Sequence, residues 1–255
     1  MLTDTENHSF FESLDIISKK LSSYTDSSIA PPLFPIFSVA LIMFILTERP
    51  SIGNQFLAEL RDVHTQQDRM RFRKNLERLG ELLAYEVSKT LTYQSTEVQT
   101  PLGSAQMELP VDQVVLVAVL RAALPFYQGF LNFFDQAESG FIGAFRQENG
   151  EKIGVNLGYH ASPKLDNKVL ILVDPMLATG QSCVTALKTL LEHGTPKAIH
   201  IAAAFAAPEG VQHLTNTLNV SYNLWLGTLD QKLNSKSYII PGLGDAGDLA
   251  FGEKL

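Results

Sequence analysis

The stretch "KVLILVDPMLATGQSCVTALKTLLEHG", residues 168–194, decides the fold. "KVLILVD" (168–174) is a short, unbroken, β-branched and leucine-rich run that ends in an acid. Such a run marks a strand buried on both faces. "PMLATGQS" (175–182) reads as a loop, and "CVTALKTLLEHG" (183–194) as a helix with Gly194 placed as its stop. The pattern then repeats, with a strand in "KAIHIAAAF" (197–205), a short helix in "VQHLTNTL" (211–218) and a strand in "YNLWLGTL" (222–229). Upstream, "QVVLVAVL" (113–120) is another buried strand, and "TPLG" (100–103) is a turn. "SGFIGAFRQ" (139–147) and "KIGVNLGYH" (152–160) flank "ENG", which can turn a hairpin. This alternation predicts an α/β fold, a mainly parallel central sheet flanked by helices and joined by right-handed crossovers. Sites in such sheets lie at the carboxyl ends of the strands.

The loop at 175–182 carries the chemistry. Ala178, Thr179, Gly180, Gln181 and Ser182 would present backbone N–H groups and two hydroxyls at a helix N-terminus, where unpaired donors and the helix dipole favour a phosphate. No lysine follows the glycine, so a Walker-type triphosphate site does not fit. Asp174 would repel a phosphate but accept hydrogen bonds from sugar hydroxyls. Together they describe a phosphoribosyl site. An ordinary strand–turn–helix with Asp174 as a cap would be spelled the same way.

A second glycine motif, "PGLGDAG" (241–247), matches the dinucleotide fingerprint through Gly242, Gly244 and Gly247. The fingerprint has a mechanism only inside a βαβ unit, and "DLAFGEKL" is too short to supply a helix, a second strand and a distant acid. Those glycines need another reason.

Composition narrows the function classes. The chain has 255 residues, 45% apolar and 18% charged, which is globular rather than disordered. A net charge of −7 argues against a nucleic-acid partner. The single cysteine, Cys183, excludes an internal disulfide and fits a reducing, cytoplasmic setting. The six histidines show no zinc-binding spacing. Residues 1–30 are polar, Ser-rich and acidic, and the apolar run Leu33–Leu46 is shorter than a membrane span and lacks a basic lead-in. Residues 1–42 are therefore expected to be an extension, poorly ordered or not native, and 43–255 the domain. A membrane-proximal or targeting role for the extension is the alternative. Thr65 with Asp68 resembles a capping box opening a helix over "DRMRFRKNLERLGELLAYEVSKTL", with Met70, Leu76, Leu79, Leu83 and Val87 on its apolar face.

"VDPMLATGQS" resembles the phosphoribosyl-pyrophosphate motif of uracil phosphoribosyltransferases, and "SYIIPGLGDAGDLAFG" their C-terminal uracil-binding segment. "VLRAALPFYQGFL", "FIGAFRQENGE" and "AAPEGV" fall between them in the family's order, and "LRDVHTQQDRMRFRKNLERLGELLAYE" is similar to its N-terminal helical region. The likeness covers roughly residues 44–255. It implies a type I phosphoribosyltransferase fold with a small C-terminal and hairpin hood over the site. The implied reaction joins uracil to the ribose of phosphoribosyl pyrophosphate, giving UMP and pyrophosphate in pyrimidine salvage.

The resemblance implies that Arg121, Arg146, Asp174, Pro175, Met176, Leu177, Ala178, Thr179, Gly180, Gln181, Ser182 and Asp245 bind phosphoribosyl pyrophosphate. Arg121, Arg146, Asp174 and Asp245 are the implied catalytic set, with the two arginines expected at the ends of their strands. Tyr238, Ile239, Gly244, Asp245 and Ala246 are the implied uracil contacts, Ile239 and Gly244 through their backbones. The glycines of "PGLGDAG" would then let backbone approach a flat pyrimidine. Mg²⁺ is the implied cofactor, carried by the substrate without direct side-chain ligation. A homodimer or homotetramer and a GTP effector are implied partners. The family usually has glycine where this chain has Ala123, Gln181 and Ser237, which puts catalytic rate in doubt. A pyrimidine-binding regulatory protein with weakened turnover is the alternative reading.

Overall fold

The structure is a computed structural model that describes residues 40–149 and 152–253. Strand β1 (Ala40–Ile45) leads through a single 3₁₀ turn to helix α1 (Ile52–Arg61). Ser51 caps α1, its Oγ accepting from the Gly53 N–H, while the Ser51 N–H donates to Asn54 Oδ1 at 2.9 Å. Helix α2 (Arg69–Ser88) follows, then an antiparallel hairpin of β2 (Tyr93–Thr100) and β3 (Gly103–Pro110). Next come β4 (Val114–Leu120), α3 (Ala123–Phe133), β5 (Glu138–Asn149) and β6 (Lys152–Ala161). The second half runs β7 (Val169–Val173), β8 (Met176–Leu177), α4 (Gln181–Leu191), β9 (Ala198–Ala206), α5 (Pro208–Thr217) and β10 (Tyr222–Leu229). It closes with a two-stranded pair, β11 (Lys232–Leu233) and β12 (Ile239–Ile240), and helix α6 (Ala246–Phe251).

The central sheet has the order β1-β10-β9-β7-β4-β5-β6, with β8 also paired to β9. Every pairing is parallel except that of β6 with β5. The mainly parallel α/β sheet expected from the alternating elements is therefore present. Strands β4, β7, β9 and β10 carry no polar face because both faces are covered. Leu116 and Ala118 of β4 pack with Leu60, Leu76, Leu83 and Phe126 of α1, α2 and α3. Val115 and Val117 pack on the other side with Leu187, Leu190, Val211 and Leu214 of α4 and α5. Leu76 is fully buried, so Leu76→Ala removes about 2–5 kcal/mol of stability.

Several local expectations change. Thr65 does not cap α2, because residues 65–67 form a 3₁₀ turn and Asp68 is itself the cap, accepting from the Met70 and Arg71 N–H groups at 3.0 and 3.1 Å. Met70 is 72% exposed and Phe72 takes its place in the core. Six residues separate Met70 from Leu76, which leaves it roughly 120° off the buried stripe of a 3.6-residue helix. The β2–β3 hairpin was legible only as its turn. Almost all of its residues are exposed, so neither strand shows an apolar alternation. Helix α5 begins at Pro208, earlier than expected, with proline in the first turn where no N–H is needed. Helix α4 begins two residues early, and the expected loop contains the short strand β8. Arg146 does not end its strand. It lies inside β5 opposite Val155, because the β5–β6 hairpin continues beyond the sheet to Asn149 and Lys152.

Candidate active site

The carboxyl ends of β4 and β7 open beneath the β11–β12 pair and α6, which form a hood. At the end of β7, the Asp174 N–H donates to the Ala202 carbonyl at 3.0 Å, and Asp174 Oδ1 accepts from the Met176 N–H at 3.2 Å. Asp174 thus braces its own turn while its side chain borders the cavity. A small cavity of about 90 Å³ is lined by Asp174, Ala178, Thr179, Gly180, Gln181 and Ser182. Gly180 is the N-cap of α4 with φ 74°, and a Cβ there would stand 2.8 Å from the Gly210 carbonyl oxygen. Glycine is required on both counts. Gly180 supplies no side-chain cap, and the first turn of α4 borders an anion-sized space. Met176 and Leu177 also border this cavity. Pro175 does not, being buried with its carbonyl accepting from the Phe205 N–H at 2.9 Å.

A larger cavity of about 320 Å³ adjoins it and shares Asp174, Met176, Ala178, Ser182 and Ser237. Its other walls include Arg121, Tyr238, Ile239, Gly244, Asp245 and Ala246. The fold therefore brings residues from three distant segments to one opening. The carbonyls of Tyr238 and Ile240 accept from the N–H groups of Asn234 and Gln231 at 2.9 Å. Strand alternation turns the N–H and C=O of Ile239 to the opposite edge. Gly244 has φ 98°, and a Cβ built there meets nothing within 4 Å. Its glycine is thus demanded by conformation, and the space beside it is open. Tyr238 is 40% exposed over the rim.

Asp245 caps α6, its Oδ1 accepting from the Asp248 N–H at 2.9 Å, while its residue lines the cavity. Arg121 follows β4 directly and its guanidinium is held by α6. Nη2 donates to Asp248 Oδ1 at 3.0 Å and to the Gly252 carbonyl at 2.8 Å. The side chain of Arg146 falls outside the described residues.

Two positions where the family usually has glycine behave differently here. Ala123 starts α3 without a positive φ and is buried in the core, so its Cβ packs rather than strains. Ser237 has φ 61°, in the left-handed region, at the wall shared by both cavities. Gln181 is the first residue of α4, with its N–H directed to Thr179 Oγ1. Cys183 is fully buried, and burial first, with the nearby Asp174 charge, pushes its thiol well above the usual range. It packs and is no nucleophile.

Sequence reading missed one support of the site. Asp230, just past β10, accepts the Gly242 N–H at 2.9 Å, and Arg61 Nη1 donates to both Asp230 Oδ2 and the Gly242 carbonyl at 2.9 Å. The Arg61 guanidinium also lies 4.8 Å from the Phe205 ring centroid. The available signal was "LWLGTLD" (224–230), a buried run ending in an acid just as "VLILVD" (169–174) does. Nothing local marks Arg61. Among the described residues no group of three or more His, Cys, Asp or Glu side chains could hold a metal ion.

The profile of the family described as uracil phosphoribosyltransferase matches residues 47–253. A uracil phosphoribosyltransferase of Porphyromonas gingivalis is 48% identical over 206 residues, 80% of this chain and 95% of that protein. The chain belongs to the uracil phosphoribosyltransferase family. The Pyrococcus furiosus uracil phosphoribosyltransferase is 37% identical over 78% of this chain and 85% of that protein. A solved Aquifex aeolicus protein superposes with a TM-score of 0.73 at 32% identity, covering 84% of this chain and 98% of that one. The matched span of the uracil phosphoribosyltransferase family contains every wall of both cavities.

Proposed function

We propose that this protein transfers the phosphoribosyl group of phosphoribosyl pyrophosphate to uracil, forming UMP and pyrophosphate. The observation that carries this is the junction of two cavities: amides at a helix start open directly into a space edged by the backbone of Ile239 and Gly244. The amides of Thr179 to Ser182 suit the 5′-phosphate, and the Asp174 carboxylate suits the ribose hydroxyls. Uracil offers an N–H between two carbonyls, a pattern that a backbone C=O and N–H can read without a side chain. Cytosine reverses part of that pattern, and two buried mismatches at roughly 1–3 kcal/mol each reject it strongly. Tyr238 and Ala246 border the same space.

No covalent nucleophile is needed. As the C1′–O bond to pyrophosphate breaks, positive charge grows at the ribose C1′, uracil N1 bonds to it and the N1 proton passes to solvent. Orientation and stabilisation of the leaving charge therefore supply the rate. Arg121 and Arg146 bind that leaving group, Arg121 from the rim of the larger cavity. Asp174 and Asp245 hold the ribose.

The cavity walls pair these carboxylates with Arg121, a poor match for a bare polyanion and a good one for its Mg²⁺ complex. Mg²⁺ generally keeps several waters and is bound largely through substrate phosphate oxygens. When bound, it neutralises charge on the pyrophosphate oxygens.

Assembly as a homodimer or homotetramer fits the apolar Leu102, Met107 and Leu109 exposed on the β2–β3 hairpin. A GTP response comes from the family resemblance alone. A cytoplasmic location fits the single cysteine, and no helix among the described residues is long and apolar enough to cross a membrane.

The deciding experiment incubates purified protein with Mg²⁺, labelled phosphoribosyl pyrophosphate and each free base in turn. UMP from uracil alone, abolished by chelation of the metal, is the expected result. Binding of phosphoribosyl pyrophosphate without UMP formation would replace the enzyme with a regulatory binding protein.

A further inference from the structure

We propose that Asp248 is a positioning residue that sets the guanidinium of Arg121 across the active site. The inference rests on the reading of Arg121 as a pyrophosphate ligand. Arg121 has an unusual environment for a residue with that task. Its Nη2 is shared between Asp248 Oδ1 at 3.0 Å and the Gly252 carbonyl at 2.8 Å, while its Nε is buried without a hydrogen-bond partner among the described residues. A Cβ on Gly247 would stand 3.7 Å from that Nε. Arg121 is therefore lodged against the first turn of α6 and steered from one side only.

Asp248 is tied at its other end to the base-binding part of the cavity. Its backbone N–H donates to Asp245 Oδ1 at 2.9 Å, and Asp245 lies in the cavity wall next to Gly244. One short helix thus connects the loop beside the base to the arginine beside the pyrophosphate. Arg121 and Asp248 are 127 residues apart in the chain, so only the closed hood brings them together. An arginine rotating freely at the rim would spend part of its time in solvent. A carboxylate on one guanidinium nitrogen restricts that rotation and leaves the opposite edge for the ligand. The ion pair is about one-third exposed on both sides, so its role is to orient more than to stabilise.

The test compares Asp248→Asn, Asp248→Glu and Arg121→Gln with the double variant Asp248→Asn/Arg121→Gln. Binding of Mg²⁺–phosphoribosyl pyrophosphate is followed by calorimetry, and KM and kcat are measured for both substrates. Asp248→Asn is expected to weaken phosphoribosyl pyrophosphate binding roughly five- to twentyfold, with kcat reduced and the melting temperature near that of wild type. Asp248→Glu is expected to restore part of the loss. In the Arg121→Gln background the Asp248→Asn change is expected to have no further effect, because the residue acts through the arginine. An equal loss in both backgrounds would make Asp248 a helix support and overturn the proposal. Tighter binding in Asp248→Asn would also overturn it, by showing that the carboxylate withholds Arg121. Inactivity of the wild-type protein toward uracil would instead strike the underlying enzyme reading.

Discussion

Arg61 and Asp230, 169 residues apart, close around the turn at Gly242: the carboxylate accepts the Gly242 N–H while the guanidinium donates to the Gly242 carbonyl. Asp230 is almost fully buried and Arg61 about one-quarter exposed. The turn that carries Gly244 and Asp245 toward the cavity is therefore anchored from below by α1 and β10. Asp230→Asn keeps an acceptor for one partner and loses the charge facing Arg61. The change is expected to cost about 1–3 kcal/mol of stability and to raise KM for uracil more than KM for phosphoribosyl pyrophosphate. Thermal melts and steady-state kinetics measure both. An unchanged KM for uracil in a folded variant would detach this network from the base site.

Asp174→Asn tests the proposed ribose contact. The Met176 N–H keeps an amide oxygen as acceptor, so the turn survives and only the charge is lost. Binding of phosphoribosyl pyrophosphate is expected to weaken by roughly 1.5–3 kcal/mol with little change in uracil affinity. Wild-type affinity for phosphoribosyl pyrophosphate would remove Asp174 from the site.

Ser237 is held at φ 61°, where a side chain costs on the order of 1–2 kcal/mol and glycine costs little. Its N–H donates to the Asn234 carbonyl at 2.9 Å, a bond glycine retains. Ser237→Gly is expected to raise stability by about 0.5–1 kcal/mol after its greater chain entropy is allowed for. Ser237→Val is expected to lower stability, since a β-branched residue tolerates that conformation worse. Denaturant midpoints for the pair decide. A Gly variant less stable than wild type would mean that the serine side chain makes a compensating contact.

His200 gives the fold an acid limit. It is buried in β9, and its Nδ1 accepts from Trp225 Nε1 at 3.0 Å. Burial holds its pKa down at about 4 against an ordinary 6.5, with the Asp112 charge pulling weakly the other way. Because the folded-state value is depressed, the unfolded chain takes up the proton first as pH falls. Stability is whole above pH 6.5 and is lost progressively toward pH 4, by about 3 kcal/mol in all. His200→Asn keeps an acceptor for the indole and cannot titrate, so it is expected to show a smaller loss between about pH 7 and pH 5. Trp225 is the chain's sole tryptophan, and its fluorescence follows urea unfolding at each pH. An identical acid loss in the variant would assign the effect to other groups.

Sequence alone determined what depends on neighbours along the chain. The buried strands at 114–120, 169–173, 198–206 and 222–229 were legible because a sheet covered on both faces leaves no polar alternation in its strands. The loop from Asp174 to Ser182 was legible because a strand, small residues and a helix start lie in one local segment. The hairpin β2–β3 was not, since its exposed residues bury nothing and so leave no periodic signal. The position of Met70 needed the helix phase set by Phe72 and Leu76. Only the tertiary structure paired Arg61 with Asp230 and Arg121 with Asp248. Each pair joins segments more than a hundred residues apart, and no local preference for helix, strand or turn specifies which distant charge a side chain will meet. That choice is made by the packing of α1 and α6 around the carboxyl ends of the sheet.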